Sequence, residues 1–267
     1  MFNIQYSIFN ENKVVSSCHL ALLLVSCSCS RENLSFKFGD AGPAVTDYRS
    51  LRGFERIEVL GSPTVYYQQE DSFSVKVKGP KELVDRIVTE VEEGKLTIRN
   101  RGKLGMFNVS FGDDNRLAVY VTSPDLISVY LGGSGDFISE NTVDTDVMDV
   151  NLKGSGDIQF ARLLCDRCHL EVVGSGDATI RNLDTRETDI SLIGSGDIRL
   201  HQQNAENTRI TLRGSGDVDV EFGKGCGFVD AQLTGSGDID LKGTVRTVSV
   251  HKNGSGDIDT DNLKVGI

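Results

Sequence analysis

From about residue 129 onward, apolar and polar positions alternate in short runs that recur every 20 residues or so. One run holds Val129 and Leu131, then Val150 and Leu152, Leu170 and Val172, Ile190 and Leu192, Ile210 and Leu212, Ala231 and Leu233. A second run begins at Phe137, Ile158, Ala178, Ile198, Val218, Ile239 and Ile258. Apolar residues at i and i+2 describe strands with one buried face. In the last period Val248 and Val250 keep the pattern and Lys252 breaks it. Between the two runs of each period stands Gly-Ser-Gly-Asp, at 133, 154, 174, 194, 214, 235 and 254.

Each period therefore predicts a strand, a turn, a second strand and a polar far corner such as "DTRETD" or "HQQNAENT". A single strand pair cannot bury its apolar face. Stacking the periods in parallel, about 4.8 Å apart, aligns like residues into Ile, Leu and Val ladders. The expectation is an all-β fold, a single-chain β-solenoid of seven turns over residues 132–267. The rival is a meander of antiparallel hairpins in which Gly-Ser-Gly forms hairpin loops. Side-chain agreement in phase over every period favours the solenoid, because hairpins do not require it.

The glycines are read as structural. Gly133, Gly154, Gly174, Gly194, Gly214, Gly235 and Gly254 open the turn. Gly135, Gly156, Gly176, Gly196, Gly216, Gly237 and Gly256 follow two residues later. A corner repeated in every coil brings backbone against backbone and calls for positive φ. Ser and Asp hydrogen-bond the turn's own amides.

Residues 46–131 lack the motif but are β-rich: "FERIEVLGSPTVYYQQ" reads as strand, Gly-Ser-Pro turn, strand. Within them "PKELVDRIVTEVEEG" predicts a helix over about 80–92. Pro80 lies near its start, Leu83, Ile87, Val88 and Val91 form its face, and Gly94 ends it. This half is expected to cap the solenoid, since open coil ends expose strand edges.

The first 27 residues differ from the rest. Lys13 precedes an apolar run from Val14 to Ser26 that is too short to span a bilayer. "LVSC" resembles a bacterial lipobox, which implies acylation at Cys27 and a lipid anchor, with residues 28–45 as a polar tether.

The chain carries 39 acidic against 28 basic residues, a formal charge of −11, which argues against a nucleic-acid or anionic-lipid partner. Of the six cysteines, Cys18 and Cys27 fall in the leader, and the rest are too unevenly spaced for a disulfide framework. "CDRCH" at 165–169 matches a c-type haem signature. The repeat register opposes haem: Cys165 aligns with Thr185 and Ala205, Cys168 with Thr188 and Thr208, and His169 takes an outward position. A disulfide or two free thiols both suit that register, and no cofactor is expected.

The motif aspartates would stack as a carboxylate ladder. Where aspartate recurs two residues later, Asp217 and Asp219, Asp238 and Asp240, Asp257 and Asp259 form a candidate cation site for Ca²⁺. A solvated acidic face is the simpler reading. A polysaccharide lyase or glycosidase on a β-helix is the enzyme alternative. Evenly stacked carboxylates do not support it, because a site should break the repeat with a basic or aromatic partner.

The lipobox, the "GFERIEVLGSPTVYYQQ" opening, the "VEEGKLTIRN" segment and the serial "GSGD" coils occur in that order over about residues 50–260. Together they resemble the putative auto-transporter adhesin, head GIN domain family of secreted Bacteroidetes-type proteins. The resemblance implies a β-solenoid-like extracellular protein and brings no catalytic residues with it. The expected function is a non-enzymatic envelope or surface lipoprotein that presents a repetitive face to a glycan, protein or envelope partner. Self-association through solenoid ends is the third reading. The location expected is the outer membrane or cell surface.

Overall fold

The computed structural model describes residues 44–102 and 117–266. Cys27 and the expected leader lie outside the described residues, as does most of the tether, whose last two positions, Ala44 and Val45, already belong to a strand.

The repeats form the strand pairs that the alternation predicts. Strands leading into the turns are β8 (Ser128–Gly133), β10 (Val147–Gly154), β12 (Arg167–Gly174), β14 (Glu187–Gly194), β16 (Asn207–Gly214), β18 (Phe228–Gly235) and β20 (Thr247–Gly254). Strands leaving them are β9 (Phe137–Asp144), β11 (Ile158–Leu164), β13 (Ala178–Asp184), β15 (Ile198–Gln203), β17 (Val218–Phe222), β19 (Ile239–Val245) and β21 (Ile258–Asp259), with a short β22 (Leu263–Val265) after them. The first group lies in one ten-stranded sheet and the second in a facing twelve-stranded sheet, each pairing parallel with its counterpart one period away. Antiparallel hairpins are thereby excluded for the repeats. The register joins Val129, Val150, Leu170, Ile190, Ile210 and Ala231 into one inward ladder, all essentially buried. Burying such a side chain contributes about 1.5–3 kcal/mol.

The N-terminal half supplies β1 (Ala44–Arg49), β2 (Arg56–Gly61), β3 (Thr64–Gln69), β4 (Ser74–Pro80), β5 (Ile87–Glu92), β6 (Lys95–Asn100) and β7 (Ala118–Ser123). These strands extend the same two sheets. The order in the twelve-stranded sheet begins β1-β4-β7-β3-β9, and the ten-stranded sheet ends β8-β2-β6-β5. The pair β2–β3 is thus enclosed between β6–β7 and β8–β9, although β6 and β7 come later in the chain. β4 and β1 close one sheet by antiparallel pairing, and β5 closes the other.

The expected helix over 80–92 is corrected. Only α1 (Lys81–Val84) is helical, and Ile87–Glu92 is β5, paired antiparallel with β6. Gly94 does not end a helix. With Glu93 it forms a two-residue loop between β5 and β6 in which both φ are positive, 49° and 73°. That is the geometry of a tight hairpin turn. The β-branched Ile87, Val88, Thr89 and Val91 suit a strand as well as a helix face, and an unpaired edge of β6 was there to receive them.

Candidate functional site

The turn that carries the motif is built by two kinds of close approach. Gly194 has φ +141°, and a Cβ there would stand 2.1 Å from the carbonyl oxygen of Gly174 in the preceding coil. Gly196 lies outside the positive-φ set, yet its Cβ would meet the Gly176 oxygen at 2.0 Å. The Gly61-Ser62-Pro63 turn occupies the same place one coil earlier, since Ser134 N donates to Gly61 O at 2.9 Å.

The aspartate ladder serves this corner. Each carboxylate but the last, Asp257, accepts the amide of the next motif aspartate: Asp177 Oδ1 from Asp197 N at 2.9 Å, Asp217 Oδ1 from Asp238 N at 3.1 Å, Asp238 Oδ1 from Asp257 N at 2.8 Å. Desolvation pushes the Asp157 carboxyl up, and the charges of Asp136 and Asp177 add to this, while the hydrogen bond from Asp177 opposes it.

The doubled aspartates face basic side chains. Lys242 Nζ lies 2.7 Å from Asp240 and 3.7 Å from Asp219, Arg199 Nε stands 3.9 Å from Asp219, and Lys252 reaches Asp257 at 2.7 Å. The hydrogen bond to Asp240 holds the Lys242 ammonium above its ordinary range. Asp259 Oδ1 accepts the amide of Asp261. Among the described residues no three His, Cys, Asp or Glu side chains converge to hold a metal ion. A ligand that binds the folded state raises stability with its concentration. Because Lys242, Arg199 and Lys252 already pair with these carboxylates, the melting temperature is expected to be the same in millimolar Ca²⁺ and in chelator; a rise with Ca²⁺ would establish a structural ion there.

Cys165 and Cys168 are free thiols inside the coil, 9% and 3% exposed, so covalent haem would require opening a packed corner. They stand side by side. A hydrogen bond with Cys168 draws the Cys165 thiol down, and the same contact together with burial drives Cys168 well up. The register is the one the repeats predict, Cys168 beside Thr188 and Thr188 beside Thr208.

The outer face of the ten-stranded sheet carries a groove of about 730 Å³. Along it Asp149, His169, Asp189, Arg209 and Asp230 follow one another strand by strand. The parallel row Val147, Arg167, Glu187, Asn207 and Phe228 forms its other wall. Five strands at about 4.8 Å span roughly 19 Å, so the groove suits an extended ligand. His169 Nδ1 lies 3.7 Å from Asp189, with both side chains near half-exposed. In that setting the pair is a surface contact of a few tenths of a kcal/mol, without the water exclusion that acid–base catalysis uses. His169 was legible as an outward residue, but the groove was not, because its depth depends on sheet curvature and on side-chain size in adjacent coils.

A two-sheet parallel β-solenoid capped by non-repeated strands is the class that this fold defines. The chain belongs to the family described as "Putative auto-transporter adhesin, head GIN domain", whose model matches residues 53–225. Solved structures with the same fold include a putative adhesin from Bacteroides fragilis NCTC 9343, 23% identical, covering 85% of this chain and 98% of that one at a TM-score of 0.71. A putative lipid binding protein from Parabacteroides distasonis ATCC 8503 is 25% identical over 81% of this chain and 96% of that one, with a TM-score of 0.63. A putative adhesin from Parabacteroides merdae ATCC 43184 is 20% identical over 82% and 97%, with a TM-score of 0.61. No protein of curated function matches the chain.

Proposed function

We propose that this chain is a non-enzymatic binding module of the cell envelope, exported and tethered through acylated Cys27, which holds an extended glycan or protein ligand on its outer sheet faces. The observation that carries this reading is the groove over β10 to β18, where parallel register sets polar and charged side chains at one-strand intervals on a rigid support. The family and the adhesin-named structures support it. The label of the Parabacteroides distasonis protein raises lipid as a ligand. Here the residues between the sheets are closely packed, with Leu131, Leu152, Leu192 and Leu212 at 0% exposure, so a ligand belongs on the outside. No described helix is long and apolar enough to cross a membrane.

Screening the acylated protein against arrayed glycans and envelope extracts tests this. Bound ligand recovered intact supports a binding module. Release of reducing ends or unsaturated uronates would establish the enzyme alternative instead. For the anchor, Cys27→Ala is expected to move the protein from the membrane fraction to the soluble fraction, since stable attachment of this kind depends on the acyl chains. A variant that still sediments with membranes would remove the lipoprotein assignment.

A further inference from the structure

One outward row of the twelve-stranded sheet runs across eleven strands. In register it reads Tyr48, Lys76, Tyr120, Tyr66, Ile138, then Gln159, Thr179, Arg199, Asp219, Asp240 and Asp259. From Gln159 onward the fold accepts only polar side chains at this position, so packing does not demand aromatic ones. Of the first five positions, all but Lys76 depart from that rule. Tyr48, Tyr120 and Tyr66 are 70%, 39% and 37% exposed. Tyr66 and Tyr120 stack with ring centroids 5.3 Å apart and planes inclined by 16°. That separation exceeds face-to-face contact, so the rings overlap with an offset that leaves part of each face open.

Charge follows the same division. Lys76 Nζ sits 5.9 Å from the Tyr48 ring centroid, and Lys78 stands two residues along the same strand on the same face. The row itself carries no carboxylate until Asp219, although Glu70 and Asp71 lie in the turn after β3. A chain of net charge −11 thus keeps a cationic, aromatic strip at one end of a face whose other end is acidic.

We infer that the strip formed by Tyr48, Lys76, Tyr120 and Tyr66 binds an anionic polysaccharide, one bearing uronate or sulfate groups. Sugar C–H faces would lie on the tyrosine rings, and the acid groups would meet Lys76 and Lys78. Four strands at about 4.8 Å cover roughly 14 Å, and one pyranose of an extended chain advances by a distance similar to one strand spacing. At the far end Asp219 and Asp240 are paired with Arg199 and Lys242 and no aromatic ring stands in the row, so that end offers such a polymer no equivalent site. This rests on the reading of the chain as a binding module and supplies its ligand class.

The test is affinity electrophoresis of the full chain in gels containing heparin, polygalacturonate or neutral dextran. Retardation is expected with one or both acidic polymers and not with dextran, and it should weaken as salt screens the lysines. Tyr66→Ala with Tyr120→Ala should weaken binding about tenfold or more, with the fold kept and the melting temperature lowered by only a few degrees, the cost of the lost cross-strand ring pair. Tyr66→Phe keeps the ring and should retain binding. Lys76→Gln with Lys78→Gln should lose most of the salt dependence. If the acidic polymers bind but the double variant binds as well as the parent, while Asp189→Ala with Arg209→Ala does not, the ligand sits in the groove and this inference fails with the module intact. No retardation by either acidic polymer overturns the inference. So does a dimer that Tyr48→Ser disrupts in the absence of any polymer binding. Depolymerisation of the gel polysaccharide would overturn the module reading itself.

Discussion

Gly194→Ala is expected to lower the melting temperature by about 10 °C, which corresponds to roughly 3–5 kcal/mol for a domain of this size. Two costs combine. At φ +141° a residue with a Cβ is strained, by about 1–3 kcal/mol. The new methyl would also lie 2.1 Å from Gly174 O and 3.0 Å from Gly174 C and N. Those are backbone atoms of a paired strand, so the coils must part rather than a side chain rotate, and overpacking of this kind costs a further 1–3 kcal/mol or so. Gly53→Ala separates the two contributions. Its φ is +77° with nothing within 4 Å of the added atom, so only the conformational cost of about 1 kcal/mol remains. Thermal unfolding of both variants decides the matter: similar small losses at Gly194 and Gly53 would show that the corner is looser than its geometry.

The second large effect concerns Gln202, which has no solvent exposure. Its Oε1 accepts from Thr188 Oγ1 of its own coil at 2.7 Å and its Nε2 donates to Thr208 Oγ1 of the next at 2.7 Å, so one amide ties two successive coils together. Gln202→Ala leaves two buried hydroxyls without that partner and opens a cavity. Each unsatisfied buried group costs about 1–3 kcal/mol, so a loss of about 3–4 kcal/mol is expected in denaturant unfolding. Replacing the whole trio, Thr188→Val with Gln202→Leu and Thr208→Val, should restore most of it, because no polar group is then left unpaired. A triple variant as unstable as the single one would show that Gln202 acts through shape and not through its hydrogen bonds.

Gln202 also marks a limit of reading the sequence. "HQQNAENT" is polar but for Ala205 and reads as a solvated corner, yet the chain turns Gln202 inward with Thr188 and Thr208 as partners. Nothing local distinguishes it from Gln203, which hydrogen-bonds Asp184 at the surface. The helix expected over 80–92 failed for a related reason. Leu83, Ile87, Val88 and Val91 have helical spacing, but Ile87 to Glu92 found a strand partner in β6, and a two-residue turn at Glu93 and Gly94 brought it there. By contrast, the position of Cys168 beside Thr188, and of His169 beside Asp189, followed directly from counting the repeat.

The sites divide in the same way. The doubled aspartates were conspicuous in the sequence, and the structure sets Lys242 and Arg199 among them. The tyrosine strip was invisible, because Tyr48, Tyr66 and Tyr120 come from three separated segments, with β7 placed between β4 and β3 against chain order. What the sequence determined by itself was the solenoid, its two sheets' inward ladders and the glycine corner. Alternation and a repeated turn are local properties, and identical coils can pair only in one register without exposing their apolar face. What only the tertiary structure decided was the order of the non-repeated strands, the burial of Gln202 and the make-up of the two outer faces. Strands without a repeat carry no register of their own, so long-range packing chooses their neighbours, and those neighbours create the surface.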